Sequence, residues 1–141
     1  MPGFTLTGST PAPVEEVWKL LFDPTRFPEW WSGVETVRTE GPDRYTMWPD
    51  GYPGFPMPQS LRTERDTGRV TVSCQVSDIE IVWQLVEAGS GTRIEVRVAL
   101  PDTEAHRLPT QRQVIAESLD KLGALAAAAV DVHGERTEPG R

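Results

Sequence analysis

Between residues 59 and 100 the chain alternates apolar and polar residues in a pattern that few folds can satisfy. A two-residue turn at Gly89-Ser90 sets Leu85 opposite Ile94, Trp83 opposite Val96, Ile81 opposite Val98 and Ile79 opposite Leu100. A turn at Ser77-Asp78 sets Val76 opposite Ile79, Cys74 opposite Ile81, Val72 opposite Trp83 and Val70 opposite Leu85. A third, at Thr67-Gly68, puts Leu61 beside Cys74, Thr63 beside Val72 and Gln59 near Val76. With these turns the apolar side chains of successive strands fall on one face, and a one-residue slip would scatter them. Arg62, Glu64, Thr71, Ser73, Gln75, Glu80, Gln84, Glu95 and Arg97 fall on the other face, which reads as the solvated side of an antiparallel sheet. A sheet with one apolar face needs a cover.

The rest of the chain supplies one. Val114, Ile115, Leu119, Leu122, Leu125, Ala126 and Ala129 repeat at helical spacing near the C-terminus, behind Thr110 and Gln113, which read as a capping box. This is the only predicted element long enough to cover the sheet. At the other end Phe4, Leu6 and Gly8 alternate with Thr5, Thr7 and Ser9 as a first strand. Pro13 then suits the first turn of a helix carrying Val14, Val17, Trp18 and Leu21. Asp23-Pro24 stops that helix and starts a second short one, ending around Trp30-Trp31. The alternation over residues 44–48 is weaker and does not decide whether Tyr45 and Met47 or Thr46 and Trp48 face inward. Residues 133–141 are polar and read as a disordered tail, so the folded unit is a single domain over residues 1–132.

A chain of 141 residues can bury a sizeable core. Its net charge of −7 repels phosphate backbones and anionic membrane surfaces, so neither nucleic acid nor a membrane is an expected partner. A single cysteine, Cys74, excludes an intramolecular disulfide and a cysteine-based zinc cluster. The start of the chain carries no signal-peptide pattern, and the longest apolar run, residues 124–130, is too short to cross a bilayer. A soluble, reducing, cytoplasmic setting is the simplest expectation.

The order strand, two short helices, about six to seven antiparallel strands and a long C-terminal helix is that of the helix-grip fold. The segment Pro11-Ala12-Pro13-Val14-Glu15-Glu16-Val17-Trp18-Lys19-Leu20-Leu21, followed by Asp23-Pro24 and by Phe27-Pro28-Glu29-Trp30-Trp31, resembles the N-terminal signature of the SRPBCC superfamily, which includes START-related and polyketide cyclase/dehydrase-like proteins. The resemblance implies an α+β helix-grip architecture, a curved antiparallel sheet wrapped around the C-terminal helix, with a cavity between them. It departs from the pollen-allergen branch, whose glycine-rich loop is replaced here by a segment containing Pro49, Tyr52, Phe55 and Met57. It leaves activity open, because the superfamily hosts carriers, receptors, cyclases and chaperone activators.

Such a cavity would be apolar with a few polar groups and suit a hydrophobic or aromatic small molecule. The candidate ligand-binding residues are Tyr45, Met47, Phe55, Gln59, Leu61, Thr63, Cys74, Ile81, Trp83, Val98, Ile115 and Leu119, although for each of them plain core packing is an equally ordinary role. The segment over residues 49–58 reads either as a lid over the ligand or as a cap on the core, and its apolar side chains equally suit a homodimer contact. Three functions follow: a carrier or sensor of a hydrophobic molecule; a cofactor-free cyclase or dehydratase in which Tyr45, Gln59, Thr63 or His106 assists a proton transfer; and a protein-interaction module of the chaperone-activator type. No metal or cofactor is expected, since Asp102, Glu104 and His106 lie in a polar loop and the other histidine, His133, is in the tail.

Overall fold

The three central hairpins all form, and two of them close with longer turns than the pattern predicts. The computed structural model describes residues 2–137, with side chains up to residue 130. Its strands are β1 (Gly3–Thr10), β2 (Val34–Thr39), β3 (Arg44–Pro49), β4 (Met57–Glu64), β5 (Arg69–Cys74), β6 (Glu80–Ala88) and β7 (Gly91–Ala99). They make one antiparallel sheet in the order β1-β7-β6-β5-β4-β3-β2. Between β6 and β7 the two-residue turn at Gly89-Ser90 is present, with Gly89 at φ 63° and Leu85, Trp83 and Ile81 opposite Ile94, Val96 and Val98 as expected.

Between β5 and β6 the register is displaced by two residues. Val72 faces Ile81 and Val70 faces Trp83. The Cys74 N–H donates to the Ile79 carbonyl at 2.9 Å, and the Asp78 N–H donates to the Cys74 carbonyl at 3.0 Å. Residues 75–78 form the turn, closed by Asp78 at φ 59°, a left-handed conformation that aspartate tolerates better than most residues. Between β4 and β5 a 3₁₀ turn over Arg65–Thr67 ends at Gly68, φ 68°, so Leu61 faces Val72 and Gln59 faces Cys74. A displacement of two leaves every side chain on its expected face. The exception is Val76, which lies in the longer turn and is 57% exposed instead of facing inward.

The helix α1 (Val14–Leu21) begins after Pro13, which stands at the cap position. A 3₁₀ helix over Pro24–Glu29 follows, where the Asp23 side chain accepts the Thr25 N–H at 3.0 Å and Pro24 takes the first position as the sequence predicts. The long helix α2 (Leu108–Thr137) covers the inner face. It starts two residues before Thr110, because a 3₁₀ turn over Asp102–Arg107 runs directly into it; Thr110 is exposed inside the first turn and does not cap. The backbone is helical to Thr137, so the expected tail is helical over residues 133–137, and residues 138–141 lie outside the described residues.

Ile115, Leu119, Leu122 and Ala126 of α2 are buried against the sheet. Leu119 sits over Gly8 of β1, where a Cβ would come within 3.0 Å of it. Nearby, the Thr10 hydroxyl donates to the Gly123 carbonyl at 2.8 Å, fixing helix to strand. On β3, Tyr45 and Met47 face inward. Trp48 lies under the Arg38 guanidinium on the outer side, and Thr46 is buried there by donating to Glu40 at 2.6 Å.

The core centres on an aromatic group: Phe27 and Trp30 from the second short helix and its end, Trp31, Tyr45 from β3 and Trp83 from β6. Ring centroids are 5.1–5.5 Å apart, with most pairs near perpendicular, a favoured aromatic geometry. The Trp30 indole donates to the Leu20 carbonyl at 3.0 Å, in the last turn of α1 where carbonyls lack helical partners. The equally buried Trp83 indole N–H has no hydrogen-bond partner. Trp30→Phe therefore leaves a carbonyl unpaired and Trp83→Phe removes an unpaired donor. We expect Trp30→Phe to be the more destabilising by about 1–3 kcal/mol in chemical denaturation, and equal losses would contradict this account of the two indoles.

Candidate functional site

The inner face of the sheet is not uniformly filled. The aromatic group and the middle of α2 occupy one half. Toward the start of α2 the packing leaves a cavity of about 250 Å³. Its floor is the inner face of β3 to β6, with Tyr45, Met47, Gln59, Val72, Cys74 and Ile81 among the lining side chains. Arg107, Gln111 and Val114 form its roof and residues 31–34 one wall. That wall is held to the helix: the Ser32 N–H donates to the Ser118 hydroxyl at 2.9 Å, and the Ser118 hydroxyl donates to the Val114 carbonyl at 2.7 Å.

The floor carries a polar row. Tyr45 stands opposite Gln59, and Gln59 opposite Cys74, so three consecutive strands place one polar group each side by side. All three residues are buried. The Gln59 amide donates to the Met57 carbonyl at 3.2 Å. Burial pushes the Cys74 thiol up, but hydrogen bonds from the Ser77 side chain, the N–H groups of Ser77 and Val76, and the Gln59 side chain outweigh it, leaving the thiol more acidic than usual. The β5–β6 turn is what brings those N–H groups to the sulfur. Burial, and secondarily the neighbouring Cys74, pushes the Tyr45 phenol far above its usual range, so it stays a neutral O–H donor.

A second depression of about 500 Å³ adjoins the mouth and shares Pro49, Met57, Ser77 and Arg107 with the cavity. Tyr52, Phe55 and Val76 line it, each more than half exposed. Arg107 at the boundary is paired with Glu104 at 3.1 Å.

Of the twelve candidate residues, Tyr45, Met47, Gln59, Cys74 and Ile81 line the cavity. Phe55 stands in the outer depression. Six stand elsewhere. Leu61, Trp83, Val98 and Ile115 are closed into the packed half of the interior, and Leu119 packs over Gly8, near the β1 edge. Thr63 is exposed: β3 begins opposite Ser60, so no strand flanks β4 on that side at Thr63. His106 is exposed in the turn before α2 and lines neither depression.

Sequence reasoning passed over Trp31, which is 7% exposed and packs within the aromatic group. It also passed over Arg107, Gln111 and Val114 of the roof. Ile79 could have been found from the register, since the displaced hairpin sets it against Cys74. Among the described residues no group of three or more His, Cys, Asp or Glu side chains could hold a metal ion. No helix among them is long and apolar enough to cross a membrane.

Known proteins resemble this architecture. A family model described as polyketide cyclase/dehydrase and lipid transport matches residues 10–114. No curated protein sequence matches the chain. Among solved structures, the protein XoxI from Bacillus cereus superposes with a TM-score of 0.74 at 18% identity, over 89% of this chain and 95% of that one. A protein of Thermus thermophilus gives 0.67 at 20% identity, over 91% and 99%. The di-domain ARO/CYC StfQ from the steffimycin biosynthetic pathway gives 0.76 at 14% identity, over 91% of this chain and 46% of that one. At these identities the likeness is one of fold, and the fold is helix-grip.

The donors around Cys74 set a testable pH dependence. The folded state holds the thiol proton less tightly than the unfolded chain. Stability from this group is therefore complete above the unfolded thiol's pKa and declines as pH falls through the folded one. Alkylation of native Cys74 by iodoacetamide should titrate with a midpoint below that of the urea-unfolded chain, and Ser77→Ala should raise it. Coincident midpoints for native and unfolded protein would contradict the donor arrangement.

Proposed function

The chain belongs to the polyketide cyclase/dehydrase and lipid transport family, and on that footing we propose that its cavity binds a hydrophobic or aromatic small molecule, as a carrier or sensor. The observation that carries this reading is the cavity itself, walled by Trp31, Val34, Met47, Val72, Ile79 and Ile81, with the polar row of Tyr45, Gln59 and Cys74 on its floor. Apolar walls with a few placed polar groups are the usual make-up of a small-molecule site. The volume of about 250 Å³ matches a molecule of one or two rings, and the adjoining depression gives a longer ligand somewhere to continue.

A cofactor-free cyclase or dehydratase is the second reading. Two of the four groups considered for proton transfer, Tyr45 and Gln59, line the cavity, whereas Thr63 and His106 do not. A neutral phenol could donate a proton to a developing enolate, but Arg107, the one charged side chain on the wall among the described residues, is tied to Glu104 at the mouth. The titratable group on the floor is the acidified Cys74 thiol, and its hydrogen bonds from Ser77, Val76 and Gln59 commit it within the protein, which favours binding over turnover here. The reading as a chaperone-activator-type interaction module draws least support, because it has no use for an open interior.

Met47 is half-buried and lines the cavity, so Met47→Trp fills the space from within. Titrated with N-phenyl-1-naphthylamine, the wild-type protein should show one saturable site by probe fluorescence. The variant should bind at least tenfold more weakly with a nearly unchanged melting temperature. Equal binding by both proteins would place the probe outside the cavity and contradict the proposal.

A further inference from the structure

We propose that the Tyr45 hydroxyl is the selectivity anchor of the cavity, and that the cavity takes apolar ligands carrying a hydrogen-bond-accepting oxygen, of the aryl ketone, ester or quinone class, with that oxygen directed at β3. This rests on the small-molecule reading and specifies its ligand. Tyr45 is 3% exposed and lines the cavity, yet its hydroxyl has no hydrogen-bond partner among the described residues. Its neighbours are committed elsewhere. The Gln59 amide donates to the Met57 carbonyl and faces the Cys74 sulfur, and the Ser77 side chain also faces that sulfur. Among the described residues the phenol is thus a side-chain donor on the floor that has no protein acceptor and opens to the cavity.

Its position is fixed. The ring packs edge-on against the fully buried Phe27 at 5.5 Å, and β3 holds it directly opposite Gln59. The hydroxyl is therefore held facing the cavity. Burial pushes the phenol far above its usual range, so the O–H stays protonated near neutral pH and presents a donor. A ligand that displaces water from this floor must either supply an acceptor or leave a buried donor unpaired. Sites of this kind reject analogues lacking the matching group far more strongly than apolar pockets discriminate by shape. Trp31, Val34, Met47, Val72, Ile79 and Ile81 give the remainder of the ligand apolar contact.

The test uses two shape-matched probes, 2-acetonaphthone and 2-isopropenylnaphthalene, which differ by C=O against C=CH2. Binding is read by quenching of tryptophan fluorescence, to which Trp31 on the wall contributes, in wild-type protein and in Tyr45→Phe. Phenylalanine keeps the ring against Phe27, so the fold should persist, and a far-UV spectrum and melting curve check this. The wild type should prefer the ketone about tenfold or more, and Tyr45→Phe should reduce that preference to near unity while still binding the hydrocarbon. The carbonyl stretch of bound 2-acetonaphthone should lie at lower frequency in wild type than in the variant, a reading that does not depend on affinity. Equal binding of both probes by wild type would overturn the anchor while leaving the small-molecule reading in place. A ketone preference that survives in Tyr45→Phe would assign the acceptor to another donor and overturn the role of Tyr45. Failure of both probes to bind wild type would overturn both proposals.

Discussion

The aromatic group of Phe27, Trp30, Trp31, Tyr45 and Trp83 is the contact on which the rest of the structure depends. It joins three parts of the chain that are far apart in sequence: the short helices, β3 and β6. The indole of Trp30 reaches back to close the end of α1, so the two short helices are tied to each other by a hydrogen bond and to the sheet by ring packing. Because these rings are large and locked against one another, the interior divides into two parts. On one side they meet Leu122, Ile94 and Val96 in a filled core; on the other, Trp31 and Tyr45 form walls of an open cavity. The same residues thus supply stability and shape the binding space.

The fold was largely legible because period-two alternation is a strong signal when one sheet face is buried. The Gly89-Ser90 hairpin follows the expected register for Leu85, Trp83 and Ile81, and its ladder ends at Glu80 and Ala99, before the expected pair of Ile79 and Leu100. The other two hairpins were displaced by two residues, since Asp78 and Gly68 adopt left-handed conformations that close four-residue turns. Parity protected the face assignment from that error, with Val76 as the exception. The start of α2 was misplaced at Thr110 because the 3₁₀ turn ahead of it carries no apolar rhythm to separate it from a loop.

The site was legible in part, for a related reason. Facing inward is a local property of a strand, and it identified Gln59, Cys74 and Ile81; Tyr45 and Met47 were candidates whose face the weak alternation over residues 44–48 left open. Whether an inward residue meets a cavity or a packed neighbour depends on what the helix places over it. Leu61, Trp83 and Val98 face inward just as Ile81 does, yet the rings and Ile115 help fill that half of the interior. Arg107 and Gln111 enter from the start of α2 and the turn before it, whose placement over β3 to β6 no spacing in the sequence encodes. The row Tyr45–Gln59–Cys74 needed the correct turn lengths before its members stood side by side.

Chemically the cavity is a mostly apolar space, with the Arg107–Glu104 pair at its mouth and a floor whose polar groups donate: a phenol held in its protonated form and a set of N–H and O–H groups around one sulfur. Such a floor recognises a ligand more readily than it transforms one. The most direct test of that claim is a methyl and amide NMR titration of the labelled protein with N-phenyl-1-naphthylamine. The account predicts shifts concentrated at Met47, Met57, Val72, Ile79 and Ile81, with Ile94, Ile115 and Leu122 unchanged. Shifts confined to Val76 and the exposed 49–57 segment, or spread over the packed half of the core, would contradict it.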